Sequence, residues 1–221
     1  MRARQIFQYA LLVTAVSRIS QSTATAQTVR SEDVYTVGDK GDRIVIVERF
    51  TTADGSLLAV HNLKLFRDGK ADSVVFKVFR GAAEITNEVA SIPGYQVKLR
   101  DGQSLVFISG AYVEGGKTQR VTRVLPTTDT ALVRPGPSGG LLVEDRFNDA
   151  DSRTVSVTKA YAIGRNSELL DTVQSVRRGE IDLTPSILSG QCKSIPIRDG
   201  TLQFQLTPSP NGPPSITVST R

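Results

Sequence analysis

Arg49-Phe50-Thr51-Thr52-Ala53-Asp54 returns later in the chain as Arg146-Phe147-Asn148-Asp149-Ala150-Asp151. A stretch that recurs at a fixed offset is the mark of an internal repeat, and it decides the fold before any single segment does. Sliding the chain by about 97 residues brings further features into register. Ile44–Glu48 falls on Leu141–Asp145, and Val60 falls on Val157. Arg80 and Gly81 fall on Arg177 and Gly179 with one residue inserted. Arg100-Asp101-Gly102 falls on Arg198-Asp199-Gly200, after which Leu105 and Phe107 fall on Leu202 and Phe204 with one residue removed. The order of the matches is kept throughout, so the sequence predicts an internal duplication. Its units are residues 38–125 and 141–221, joined by a linker at 126–140 in which Pro126, Pro135, Pro137, Gly136, Gly139 and Gly140 discourage regular pairing.

Each unit reads as short strands divided by turns. Ile44-Val45-Ile46-Val47 is a β-branched run that calls for burial on both faces and hence a central strand. Thr51–Ser56 is a turn, Leu57–Phe66 a strand, and Asp68-Gly69-Lys70 a hairpin turn into Ser73–Arg80, with Val74, Phe76 and Val78 expected on one face. Ala82–Pro93 has room for a short helical turn. Tyr95–Arg100, Gln103–Val113 and Gln119–Leu125 complete the first unit. In the second, Val155, Val157 and Tyr161 alternate with polar residues, as do Leu202, Phe204 and Leu206, and Ile216 and Val218; this period of two describes strands with one wet face. One segment conflicts. Leu169, Leu170, Val173 and Val176 are spaced like a helix face behind Asn166 or Ser167 as a cap, yet their counterpart Ser73–Arg80 reads as strand. The repeat decides, and Leu169–Arg177 is assigned as strand. The fold class is therefore all-β: two similar antiparallel β-sandwich domains, broadly immunoglobulin-like in form, without the Cys and Trp landmarks of antibody domains.

The N-terminal segment has a different character. Met1–Gln5 is basic, Ile6–Val16 is largely apolar, and a polar stretch ends in Ala24-Thr25-Ala26. That is the layout of a cleaved secretory signal peptide, residues 1–26, and its apolar run is shorter than the roughly 20 residues a membrane span needs. Import into mitochondria is the alternative, since the segment holds arginines and serines but no acid. Secretion places the mature chain in a periplasm or outside the cell, with Gln27–Lys40 as a polar lead-in. The leader also skews the charge. Without Arg2, Arg4 and Arg18, 24 basic groups face 22 acidic ones, so the mature chain offers no dense basic face for nucleic acid.

Chemistry-bearing residues are sparse. His61 is the one histidine and stands in a strand, without the further His or Cys ligands that zinc requires. No nucleophile signature surrounds a serine, so no catalytic residue is assigned and the chain is read as a non-enzyme. Cys192 is the single cysteine, which leaves no internal disulfide and fits a small buried apolar residue, the alternative being a reactive or intermolecular thiol. Asp149 and Asp151, beside Asn148, gather enough oxygen for a calcium candidate; the bland alternative is a surface turn in which these side chains bond their own backbone. Arg49 is expected to pair with Asp54 across its turn. The absence of Trp disfavours a sugar-stacking platform. The functional expectation is an exported, non-catalytic module for protein interaction, adhesion or assembly, with Gln119–Leu125 as the edge that would accept a partner's strand. The alternatives are a calcium-dependent or carbohydrate-binding module, or a hydrolase with a site built from loops.

Overall fold

A computed structural model describes residues 33–38, 43–67, 70–165, 167–209 and 214–221. The leader, the start of the lead-in, the Asp68-Gly69 turn and the proposed Asn166 cap lie outside the described residues.

The chain is all-β, with antiparallel pairing in every sheet. The first half runs β1 (Asp33–Val37), β2 (Arg43–Thr51), β3 (Leu57–Arg67), β4 (Lys70–Arg80), β5 (Ala83–Glu84), α1 (Thr86–Ser91), β6 (Tyr95–Lys98), β7 (Gln103–Glu114) and β8 (Lys117–Thr128). The second runs β9 (Leu132–Pro135), β10 (Leu141–Asn148), β11 (Thr154–Ile163), β12 (Leu169–Arg178), β13 (Ile181–Asp182), α2 (Thr184–Leu188), β14 (Ser194–Ile197), β15 (Gly200–Thr207) and β16 (Ser215–Thr220). In each half the first five strands form one sheet in sequence order and the last three form another. The halves match in detail. Thr86 Oγ1 accepts the Val78 N–H at 3.0 Å, and Thr184 Oγ1 accepts the Val176 N–H at 2.9 Å. The Arg100 N–H meets the Thr51 carbonyl at 2.9 Å, and the Arg198 N–H meets the Asn148 carbonyl at 2.7 Å. Because Gly81 and Gly179 donate to the first residue of the third strand of their half, Leu57 of β3 and Thr154 of β11, the counterpart of Arg80 is Arg178 and not Arg177.

A bulge explains why β12 looked helical. Register slips between His61 and Asn62 in the first half and between Thr158 and Lys159 in the second. Across the slip Val176 pairs with Val157 and Val173 with Lys159, so two residues three apart share one face of a strand. The same slip puts Val75 with Val78 in the first core and leaves Phe76 38% exposed, which corrects the expected Val74–Phe76–Val78 face.

Among the described residues, three apolar clusters hold the fold together. Phe50, Leu58, Val60 and Val78 of the first five-stranded sheet pack on Val97, Leu105 and Phe107 of β6 and β7. Val155, Val157 and Val176 pack on Ile195, Leu202, Phe204 and Ile216 in the same manner. The third cluster joins the halves: Val106 and Ile108, on the other face of β7, meet Ala131, Leu141, Val143 and Tyr161. Gly110 continues that contact, where an added Cβ would lie 2.6 Å from Cγ1 of Ile163. Buried Arg123 of β8 reaches across as well, donating from Nε to the Ser167 carbonyl at 3.1 Å and from Nη1 to the Ser73 carbonyl. Cys192 is half-buried against the second cluster.

Three expectations differ from the structure. The lead-in contains β1, which pairs with β2 from Asp33↔Val47 to Val37↔Arg43. Residues 126–140 are largely regular: Pro126 lies in β8, and β9 pairs with β10. Both prolines, Pro126 and Pro135, sit in outermost strands, where a missing amide proton breaks no ladder. The second half also carries the helical turn α2, matching α1.

Candidate functional site

Asp149 and Asp151 come together in the turn after β10, around a guanidinium. Asp149 Oδ1 accepts the backbone N–H of Asp151 at 2.9 Å and of Arg153 at 2.8 Å. Its Oδ2 accepts Arg178 Nε at 2.5 Å, while Arg178 Nη2 reaches Asp151 Oδ2 at 2.9 Å. Burial alone would raise the Asp149 pKa; the hydrogen bonds from Arg153, Arg178 and Asp151 outweigh it and hold the carboxyl below the usual carboxylate range. The side chain of Asp149 is shielded and that of Asp151 is exposed. A divalent cation at these oxygens would have to displace Arg178, and among the described residues no three His, Cys, Asp or Glu side chains gather elsewhere to hold one. The first half builds the same tether from different residues. Thr52 stands in the place of Asp149, and Asp54 accepts from Thr52 and Ser56 hydroxyls and from Arg80 Nη2 at 2.5 Å. Arg80, not Arg49, is thus the partner of Asp54; Arg49 pairs with Asp33 of β1.

His61 faces away from the core in β3. Its Nδ1 lies 2.9 Å from the Tyr35 hydroxyl, and its ring stands against Tyr35 and Phe79 at centroid distances of 5.7 and 5.1 Å. Burial lowers its pKa, helped by the charges of Arg49 and Lys77, so the imidazole is neutral at pH 7. A ring held by a phenol and a phenyl group is arranged to anchor β1 to the sheet. The bond spans the register from β1 to β3 across β2.

The Gln119–Leu125 segment does belong to an outermost strand, β8. Its alternating apolar residues serve another purpose, however. Val121, Thr122 and Arg123 are buried, and Leu125 packs into the cluster between the halves. Among the described residues, the unguarded outermost strand is β1. Val34 is 60% exposed there, and the strand DVYTV holds neither proline nor lysine. The other outermost strands are guarded. β5 and β13 are two residues long, β9 and β14 contain Pro135 and Pro196, and β6 is four residues ending in Lys98. β8 and β16 lie beside β4 and β12.

A cleft of about 740 Å³ opens between the halves. Phe147 and Val218 line it, with Val157 and Leu202 buried behind them and Asp145 and Lys159 alongside. Asp101, Asp129, Arg198 and Asp199 stand at its rim. Asp145 corresponds to Glu48 of the first half, where Glu48 accepts from Asn62 at 2.6 Å. Lys159, in the place of Asn62, instead lies 3.9 Å from Asp171. Burial pushes the Asp145 carboxyl up, while hydrogen bonds from the Thr128 N–H, at 3.5 Å, and hydroxyl and the charge of Lys159 pull the other way. No run of residues announces this cleft, because its lining comes from three separate stretches within 101–130, 145–159 and 197–220. No helix among the described residues is long and apolar enough to cross a membrane. No protein-family model, no curated protein and no solved structure matched the chain.

Proposed function

We propose that the chain is an exported, non-catalytic interaction module, made of two duplicated β-sandwich units of broadly immunoglobulin-like form, which takes a partner's extended segment onto the edge of β1. The observation that carries the reading is the unguarded edge at Asp33–Val37 in a protein whose other outermost strands are short, proline-bearing or folded against a neighbour. Strand addition draws affinity from main-chain hydrogen bonds and specificity from alternate side chains. Here Tyr35 presents one face, backed by His61 and Phe79, and Val34 and Thr36 present the other. The matching order of elements, the paired bulges and the paired Thr–Val bonds support the duplication. The layout of residues 1–26 supports export to a periplasm or the cell exterior, and the expected mature chain begins at Gln27.

The test places a photo-crosslinking residue at Val37 of the secreted protein, with and without the V34K/T36K pair. Capture of one defined partner, with amides of Asp33–Val37 gaining exchange protection on binding, is the expected result. Equal capture by V34K/T36K would sink the reading, because two lysines on a free edge block strand addition. The mass of the secreted form checks the leader independently.

A further inference from the structure

The ladder of the first sheet fixes which main-chain groups of β1 are open. In an antiparallel sheet successive residues aim their N–H and C=O groups at one neighbouring strand and then at the other. The Thr52 N–H donates to the Ser56 carbonyl, so Thr52 turns toward β3, and by alternation so do Ile46 and Ile44. Arg43, Val45 and Val47 then turn toward β1, where they face Val37, Tyr35 and Asp33. Val34 and Thr36 are left with their N–H and C=O groups aimed away from the sheet. β9 holds the same place in the second sheet, and it sets Pro135 against Leu141 where β1 sets Thr36 against Ile44. The Gly136 N–H donates to the Gly140 carbonyl, so the position before it, Pro135, also points outward. A proline there offers no amide; Thr36 offers one.

We propose that β1 pairs with β1 of a second copy of this chain, antiparallel, about a two-fold axis through Tyr35. This rests on the strand-addition reading and names its partner. In that register Val34 faces Thr36 of the second copy and Thr36 faces its Val34, so every outward N–H meets an outward C=O. Tyr35 meets its own copy in an aromatic cross-strand pair, and Asp33 faces Val37; a parallel pairing would instead set Asp33 against Asp33. Charge complementarity favours the same register. Arg43, Val37 and the second copy's Asp33 fall in one row on one face, which places Arg43 about 9 to 10 Å from that Asp33 at Cα, two strand spacings and within the reach of its side chain. Asp33 touches Arg49 of its own chain, yet its side chain is 61% exposed and has acceptor capacity for a second guanidinium. On the other face the exposed Val34 comes to lie between Ile46 and the second copy's Thr36. The two five-stranded sheets become continuous, and because each copy uses up its one β1 edge the assembly closes at two. Five residues a side make a small contact, which sets a weak, reversible dimer.

The experiment follows the secreted chain by sedimentation velocity from micromolar to millimolar concentration, where a reversible monomer–dimer equilibrium is expected. Thr36→Pro gives β1 the residue that β9 already carries. It should weaken the dimer by at least about tenfold, since each copy loses an outward N–H and strands a carbonyl, while the Tm of the dilute monomer stays that of the parent. Arg43→Glu should weaken it as well, more at low salt than at high. Disulfide trapping in a Cys192→Ser background reads the register. D33C mixed with V37C should crosslink, because facing residues of such a pair lie about 4.5 Å apart at Cα, within disulfide range, and D33C alone should not. A chain that stays monomeric at millimolar concentration, a dimer of parent strength in Thr36→Pro, or D33C that crosslinks to itself as readily as to V37C would each overturn the proposal. Should Thr36→Pro not fold, parent-strength association of V34K/T36K does the same. A monomeric chain whose photo-crosslinker at Val37 still captures a different protein, with capture lost in V34K/T36K, overturns self-pairing and leaves strand addition standing. Capture at Val37 that V34K/T36K does not change overturns both.

Discussion

At the scale of single residues, Asp149 shows how one side chain is fixed by its neighbourhood. Its two backbone donors hold the turn after β10, and Arg178 ties that turn to the far end of β12. In the first half the same duties are split between Thr52 and Asp54, the latter more than half exposed. Truncation should therefore be unequal. Asp149→Ala strands two backbone N–H groups and Arg178 and is expected to lower Tm by several degrees, whereas Asp54→Ala should cost clearly less; thermal melts of both variants decide it. Acid should discriminate too. The folded pKa of Asp149 is lowered, so its stabilising contribution is complete above the unfolded value of about 3.8 and is lost as pH falls through the lower folded value. Asp149→Asn should flatten the loss of stability below that pH, measured by urea unfolding. Millimolar calcium should leave the Tm unchanged, because Arg178 already engages both carboxylates. The sequence exposed the acidic cluster but not its partner, which arrives from 27 to 29 residues away.

At the scale of elements, β1 shows what holds an outermost strand in place. Beyond its ladder to β2 it has the Tyr35–His61 hydrogen bond and the Arg49–Asp33 ion pair, the latter near the surface and worth roughly 0 to 1 kcal/mol. Tyr35→Phe should therefore loosen β1 while leaving the cores intact. Hydrogen exchange should show faster amides at Asp33–Val37 with a nearly unchanged global Tm. The histidine adds a pH dependence of known sign. Its folded pKa lies below 6.5, so its neutral form supports the folded state above pH 6.5 and that support is lost as pH falls through the lowered value. Exchange in β1 should accelerate over that window, and in His61→Gln the acceleration should vanish. Some elements were legible in the residues and others were not, for physical reasons. The run Ile44–Val47 announced a strand covered on both sides, and Val45, Ile46 and Val47 are all buried. β12 was ambiguous because a bulge turns a spacing of three into a shared strand face. β1 went unread because five residues with half-exposed alternation carry no signal until β2 is there to pair with them.

At the scale of the whole molecule, the two halves differ in one respect that the sequence states openly. Leu105-Val106-Phe107-Ile108 is unbroken, while Leu202-Gln203-Phe204-Gln205-Leu206 alternates. A sheet covered on both faces needs the first pattern and a sheet with one wet face needs the second. The first half's smaller sheet is accordingly sandwiched between its own larger sheet and that of the second half, whereas β15 turns Gln203 and Gln205 to solvent. The proline-bearing stretch that resembled a linker lies against this contact, with Ala131 buried in it. The halves should then unfold together, in one calorimetric transition whose van't Hoff and calorimetric enthalpies agree. Exchanging Val106 and Ile108 for glutamine gives the first half the surface that the second already has. Leu105 and Phe107 remain, so the first half keeps its own core. Burial of the two lost side chains is worth about 3 to 6 kcal/mol together, enough to uncouple the halves. V106Q/I108Q is expected to split the transition into two, the Gly110→Ala variant to weaken the coupling through its clash with Ile163, and a V106Q/I108Q protein that still melts once at the parent temperature would mean that this contact does not hold the halves together.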